Sequence, residues 1–276
     1  MKLFAIGDLH VSYPENLAVV REMPAAPDDW LVVVGDVGDT PDELTAGLRL
    51  LNERFRQVVW TPGNHELWTL KRDPVRLRGE ERYQLLVERC RDMGVLTPED
   101  PYPTLDCEGW RFVLVPLFLL YDYSFRPAGL TVEQALAEAY DTGVVCTDEF
   151  VLDPAPFPDR AAWCRSRVGH TEQRLRDLPP GQSVVFAGHY PLHRSAVHLP
   201  RIPQFSMWCG TTLTADWHRR YPTLAMVYGH THMPATHHID GVRFEEVSLG
   251  YPREWQWRGP TVPRQIVPPP ALGVDA

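Results

Sequence analysis

The sequence predicts an α/β fold, and three observations carry that prediction. Short apolar runs alternate with amphipathic helical patterns along most of the chain. The runs end at or near glycines followed by polar residues, and in open α/β sheets the carboxyl ends of strands are where ligands bind. A chain of 276 residues, 44% of them hydrophobic, buries a substantial core in one large domain and needs no partner chain to fold.

The elements follow in order. Residues 2–6 read as a strand, 15–23 as a helix, 30–34 as a strand, 42–55 as a helix and 57–60 as a third strand. A second series has strands at 111–115, 183–187 and 224–228, a long helix at 160–178, and a final strand at 242–247 paired through the turn at Asp240-Gly241. Residues 116–159, with one helical pattern at 132–139, and residues 190–210 fit neither period, as lids and binding loops often do. Residues 1–257 are therefore expected to form a single domain with loop or cap insertions near 116–159 and 190–210. A proline-rich, loosely attached tail is expected over 258–276.

Composition narrows the function. The formal charge is −9, from 36 acidic against 27 basic residues, and no Lys/Arg block stands out, which disfavours a nucleic-acid or membrane-surface binder. Lys2 and Lys71 are the only lysines. Five scattered cysteines with no C-x-x-C pair suit a reducing cytoplasm rather than a disulfide framework or thiolate zinc site. The apolar stretch before Asp8 is too short for a signal peptide, and no segment reaches the roughly 20 apolar residues of a membrane span. A cytoplasmic protein is expected.

Five polar motifs stand at the ends of expected strands: Gly7-Asp8-Leu9-His10, Gly35-Asp36-Val37-Gly38-Asp39, Gly63-Asn64-His65-Glu66, Gly188-His189 and Gly229-His230-Thr231-His232. Side chains at i and i+2 of an extended chain share a face, so Asp8 with His10, and His230 with His232, can each converge on one point. The glycines let the backbone turn there. Carboxylate, imidazole and amide oxygen together suit manganese, iron, zinc, cobalt or nickel. Alone, each motif has an ordinary reading as a turn or a core histidine; five in order, each closing an apolar strand, do not.

This ordered set resembles the calcineurin-like metallophosphoesterases over residues 2–247. The resemblance implies a sandwich of two mixed β-sheets flanked by helices, with a binuclear centre at the strand ends. It implies that Asp8, His10 and His232 hold one divalent ion, that Asn64, His189 and His230 hold the other, and that Asp36 bridges them. Two ions about 3.5–4 Å apart clamp both oxygens of an in-line displacement and acidify a bridging water. His65 then faces the substrate as general acid, and Asp39 either orients it or caps the helix before Thr40-Pro41. Glu66 is given only a supporting place.

The ester is less legible. Where protein Ser/Thr phosphatases carry Arg-Gly after the second aspartate, this chain has Thr40-Pro41, which argues against that branch. The acidic composition and cap-like loops favour a phosphomonoesterase for a small phosphorylated metabolite, with Tyr123, Arg126, Arg194, His198 and Arg201 as substrate contacts. A phosphodiesterase for nucleotides or nucleic acid is the alternative. A metal-free scaffold is disfavoured by seven intact ligand positions. Composition leaves oligomeric state open.

Overall fold

Most apolar runs carry hydrophobic side chains on both faces, and this sends alternate residues into two different cores. The computed structural model describes residues 1–270. In chain order its elements are β1 (Leu3–Ile6), α1 (Pro14–Glu22), β2 (Ala26–Val34), α2 (Pro41–Asn52), β3 (Phe55–Thr61), α3 (Asn64–Leu67), α4 (Gly79–Asp92), β4 (Thr104–Cys107), β5 (Trp110–Pro116), α5 (Val132–Asp141), α6 (Asp148–Val151), α7 (Arg160–Arg176), β6 (Val184–Ala187), α8 (Trp217–Arg220), β7 (Thr223–Tyr228), β8 (Ala235–Ile239), β9 (Val242–Glu246), α9 (Pro252–Trp255) and β10 (Arg264–Val267). Short 3-10 turns lie at Arg194–Ala196, Pro203–Trp208 and Thr212–Thr214.

The strands form two mixed sheets, in the orders β10-β1-β2-β3 and β4-β5-β6-β7-β9-β8. Strands β1, β2 and β3 run parallel, as do β5, β6, β7 and β9, while β10, β4 and β8 pair antiparallel at the edges. One set of alternate residues, including Leu3, Ala5, Val32, Val34, Phe112, Leu114, Val185, Ala187, Ala225 and Val227, packs the sheets together. The residues between them, such as Ile6, Leu31, Val33, Val113, Phe186 and Met226, pack outward under the helices. The helix α2 shows how locally such an element is specified: Leu44, Leu48 and Leu51 form its buried stripe, and Thr40 with Glu43 closes a capping box at its start.

Three features depart from the sequence expectations. The strand at 242–247 is not the last, because β10 adds antiparallel to β1 with Ile266 and Val267 fully buried. The expected loose tail is thus part of the smaller sheet; its last residues, 271–276, lie outside the described region. Helix α4 and strand β4 fall in a stretch where the apolar pattern is weak. The insertions are also more structured than their sequences suggest, with α6 added to the expected helix α5 in the first and 3-10 turns in the second.

The sheets meet near the carboxyl ends of β1, β2, β3, β6 and β7. Gly7 bridges to Ser248 across that seam, with Leu249 N–H donating to the Gly7 carbonyl at 2.9 Å. The loops of all five polar motifs are thereby gathered at one edge of the sandwich.

Candidate metal centre

Five of the eight non-glycine residues with positive φ among the described residues are Asp8 (52°), His10 (41°), Asp36 (52°), His230 (69°) and His232 (53°). Left-handed backbone at non-glycine residues is costly and persists where surrounding structure holds it, commonly at functional sites. Here it turns each side chain back across the strand ends. Two glycines are needed for close approach rather than for turning: a Cβ on Gly63 would meet Asp36 Oδ1 at 2.1 Å, and one on Gly229 would meet Asp8 Oδ2 at 2.2 Å.

The seven expected ligands lie together. His232 Nε2 is 3.1 Å from Asp8 Oδ1 and 3.3 Å from His10 Nε2. His189 Nε2 is 3.0 Å from Asn64 Oδ1, 3.1 Å from His230 Nδ1 and 3.5 Å from Asp36 Oδ2. Ligand atoms of Asp8, His10 and His232 lie within 4.8 Å of one another, as do those of Asp8, Asp36 and His189, and those of His10, Asp36 and His65. Asp36 therefore reaches toward both sides of the cluster.

The hydrogen bonds behind these groups show that the cluster presents lone pairs. His189 Nδ1 is 2.9 Å from the Val34 carbonyl, which can only accept, so Nδ1 carries the proton and Nε2 is bare. Asn64 donates its amide to Asp148 at 2.9 Å, which turns its oxygen toward that same bare nitrogen. Glu254 accepts from His232 Nδ1 at 2.8 Å, and Ser248 donates to Asp8 at 2.7 Å. Acceptors aimed at one another at these distances fit a cation between them, and a carboxylate behind a ligating imidazole fixes its tautomer in metal sites. His10 Nδ1 and His230 Nε2 have no hydrogen-bond partner among the described residues.

Electrostatics agree for three of the four imidazoles; burial acts to lower His232 too, but the Asp8 and Glu254 carboxylates hold it well above the ordinary imidazole range. Burial, with neighbouring histidines adding to it, holds His10 and His230 well below the ordinary imidazole range, and burial lowers His189 as well, so all three are neutral donors of a lone pair. Burial together with the carboxylates of Glu66 and Asp8 pushes Asp36 well above the usual carboxylate range, an expense that a divalent cation would offset. Burial works to raise Asp8, but the adjacent His232 holds it well below that range.

His65 stands beside the cluster. Its ring lies against Trp68, centroids 3.6 Å apart; Nδ1 is 2.9 Å from Asp39 Oδ1 and Nε2 is 3.7 Å from Asp36 Oδ2. Asp39 does not cap α2; Thr40 does, leaving the Asp39 carboxylate to His65 and Arg72. Burial acts to raise Asp39, while His65 and Arg72 bring it below its ordinary value.

A cleft of about 330 Å³ opens over these groups, lined by Asp36, Asn64, His65, His230 and His232 and, farther out, by Val145, Leu199, Ile202, Phe205, Tyr251 and Arg253. None of the five expected substrate contacts lines it. The Tyr123 hydroxyl donates to Glu149 and takes a hydrogen bond from Arg160; the Arg126 guanidinium is used on the carbonyls of Tyr123 and Leu130. Arg194, His198 and Arg201 are exposed, while Leu199, Ile202 and Phe205 of the same segment line the cleft.

Sequence reasoning also missed partners. Buried Asp148 accepts from both Asn64 and Trp68, and Glu66 accepts from the backbone N–H of Asp36, Val37 and Gly63 at 2.7–3.0 Å, tying the loop of residues 35–39 to its own. Asp148 and Glu254 sit in segments with no local signature. The position of Glu66 beside His65 suggests a supporting place, but not these backbone partners.

A two-sheet sandwich with this donor set at its strand ends defines a metal-dependent phosphoester hydrolase. The chain belongs to the calcineurin-like phosphoesterase family, whose model matches residues 1–234. It is 50% identical over 271 residues to the [acyl-carrier-protein] phosphodiesterase PptH of Mycobacterium tuberculosis, covering 97% of this chain and 84% of that protein. The crystal structure of that phosphopantetheinyl hydrolase superposes with a TM-score of 0.94 over 98% of this chain and 96% of the other. A dimetal phosphatase from Danio rerio is 14% identical, with a TM-score of 0.46 over 91% and 87% of the two chains. Among the described residues no helix is long and apolar enough to cross a membrane.

Proposed function

We propose that the protein is a phosphodiesterase, dependent on two divalent ions, that cleaves phosphopantetheine from the serine of an acyl carrier protein in the cytoplasm. The observation that carries the hydrolytic reading is the convergence of seven lone-pair donors beside the His65–Asp39 pair. The choice of ester rests on the 50% identity to a phosphodiesterase of that kind across nearly the whole chain.

Asp8, His10 and His232 would hold one ion and Asn64, His189 and His230 the other, with Asp36 shared. Manganese, iron, zinc, cobalt and nickel all suit this donor set. Such ions, when bound, polarise the phosphoryl group and acidify water for in-line attack. The chain's own residues supply the rest. The oxygen of water joins phosphorus as the bond from phosphorus to the serine oxygen breaks. His65 gives its Nε2 proton to that departing oxygen, and Asp39 keeps the ring in place through Nδ1. The products are a carrier with a free serine hydroxyl and phosphopantetheine as a monoester.

The cleft supports a diester better than the free metabolite monoester expected from composition. Arg253 is the one arginine or lysine among its lining residues, so outside the metal centre only Arg253 and the Nε2–H of His65 are placed to grip a dianion. The apolar lip of Val145, Leu199, Ile202 and Phe205 suits an uncharged arm beside a singly charged phosphate.

Intact-mass measurement of a holo-acyl carrier protein incubated with the manganese-loaded enzyme tests this. Loss of the whole phosphopantetheine group is expected, together with turnover of bis-p-nitrophenyl phosphate in preference to p-nitrophenyl phosphate. An unchanged carrier with preferred turnover of the monoester would overturn the reading.

A further inference from the structure

Beyond the ligands and the His65–Asp39 pair, the hydroxyl of Tyr251 faces the reacting region with no strong hydrogen bond among the described residues. Tyr251 follows β9 where the chain crosses to the smaller sheet, and Gly250 N–H donates to the Asp8 carbonyl at 3.1 Å, which registers this turn on a ligand loop. Tyr251 N–H donates to Glu254 Oε2 at 2.8 Å, the same oxygen that accepts from His232 Nδ1. The ring is then fixed by its neighbours. It stacks on His10 at 4.5 Å and 26°, and meets His232 at 4.9 Å and Tyr13 at 5.6 Å.

So held, the phenol points into the cleft. Its one side-chain hydrogen-bond contact among the described residues is His65 Nε2 at 3.4 Å, too far for a strong hydrogen bond. His65 in turn is held from behind by Trp68 and Asp39. Two donors carried by rigid rings thus converge on one space beside Asp36, and only one of them has been given a role. A tetrahedral phosphoryl group seated there offers the leaving oxygen to one donor and a non-bridging oxygen to the other.

We propose that Tyr251 is a catalytic residue whose hydroxyl donates a hydrogen bond to a non-bridging phosphoryl oxygen of the substrate. The inference rests on the phosphoester-hydrolase reading but not on which ester is natural. A neutral phenol loses no proton in this role. Its contribution grows as charge builds on the phosphoryl group, so it falls on turnover more than on substrate affinity.

Tyr251→Phe keeps the ring stack and removes only the hydroxyl. In the metal-loaded variant, kcat on bis-p-nitrophenyl phosphate and on holo-carrier should fall on the order of 10²-fold, the cost of removing one donor aimed at developing charge. KM, bound metal and thermal midpoint should stay at wild-type values, and calorimetry should show weaker binding of inorganic phosphate. Unchanged kcat and phosphate affinity would overturn the proposal. So would loss of metal, which would make the hydroxyl a support for the ligands. If the wild-type enzyme cleaves the aryl diester but leaves the carrier intact, the carrier assignment fails while Tyr251 is still tested on the aryl substrate.

Discussion

The residue whose role is sharpest is His65. Asp39 on one side and Trp68 on the other leave its Nε2 free to face the cleft. An alkoxide leaving from a serine ester is a strong base and needs a proton as it departs, whereas p-nitrophenolate does not. With His65→Ala, kcat on the carrier should fall by roughly 10²- to 10⁴-fold. The loss on an aryl diester should be clearly smaller, with metal content intact. Equal losses on both would mean that His65 positions the phosphate through charge alone. Much of this scale was legible, because ligand chemistry is written in residue type and order: Asp8, His10, Asp36, Asn64, His189, His230 and His232 lie together where the motifs implied. What was not legible is partner choice. Nothing near Asp148 in the sequence says that it will hold Asn64, 84 positions away.

At the scale of elements, α4 gives the plainest case of a pattern hidden by function. Its buried stripe includes Tyr83, Leu86, Val87 and Cys90, but it begins with Arg82, which is fully buried. A charged residue in that place erases the apolar period. The structure gives the reason: Arg82 pairs with buried Asp73 at 2.7 Å, donates to the Glu66 carbonyl at 2.6 Å and reaches the Asp39 carbonyl at 3.1 Å. One guanidinium thereby supports both sides of the His65–Asp39 pair from behind. Arg82→Met keeps the bulk but leaves Asp73 buried without its cation, and should cost about 3–5 kcal/mol in chemical denaturation. A variant as stable as the wild type would contradict this. The substrate loops failed in the opposite direction. Cations near Gly188-His189 were read as contacts because arginine suits phosphate, yet Arg194 and Arg201 face solvent while Leu199, Ile202 and Phe205 line the cleft. Irregular segments carry no period, so which face turns inward cannot be read from them.

For the whole molecule, the parallel strands place five motif loops at one edge, and the seam at Gly7 and Ser248 joins the two sheets there. The proposed ligands come from both sheets: Asp8, His10, Asp36 and Asn64 follow strands of the smaller one, and His189, His230 and His232 follow strands of the larger. Two ions bound by this set would therefore tie one half of the sandwich to the other, and Asp36, which reaches toward both sides of the cluster, is the residue on which both would depend. The most direct test is elemental analysis of divalent ions per chain, made on the reconstituted wild-type protein and on Asp36→Asn. Two ions per active wild-type chain are predicted, with both loosened in the variant as it loses most activity. One ion or none in fully active wild-type enzyme, or two held at wild-type affinity by the variant, would contradict the account.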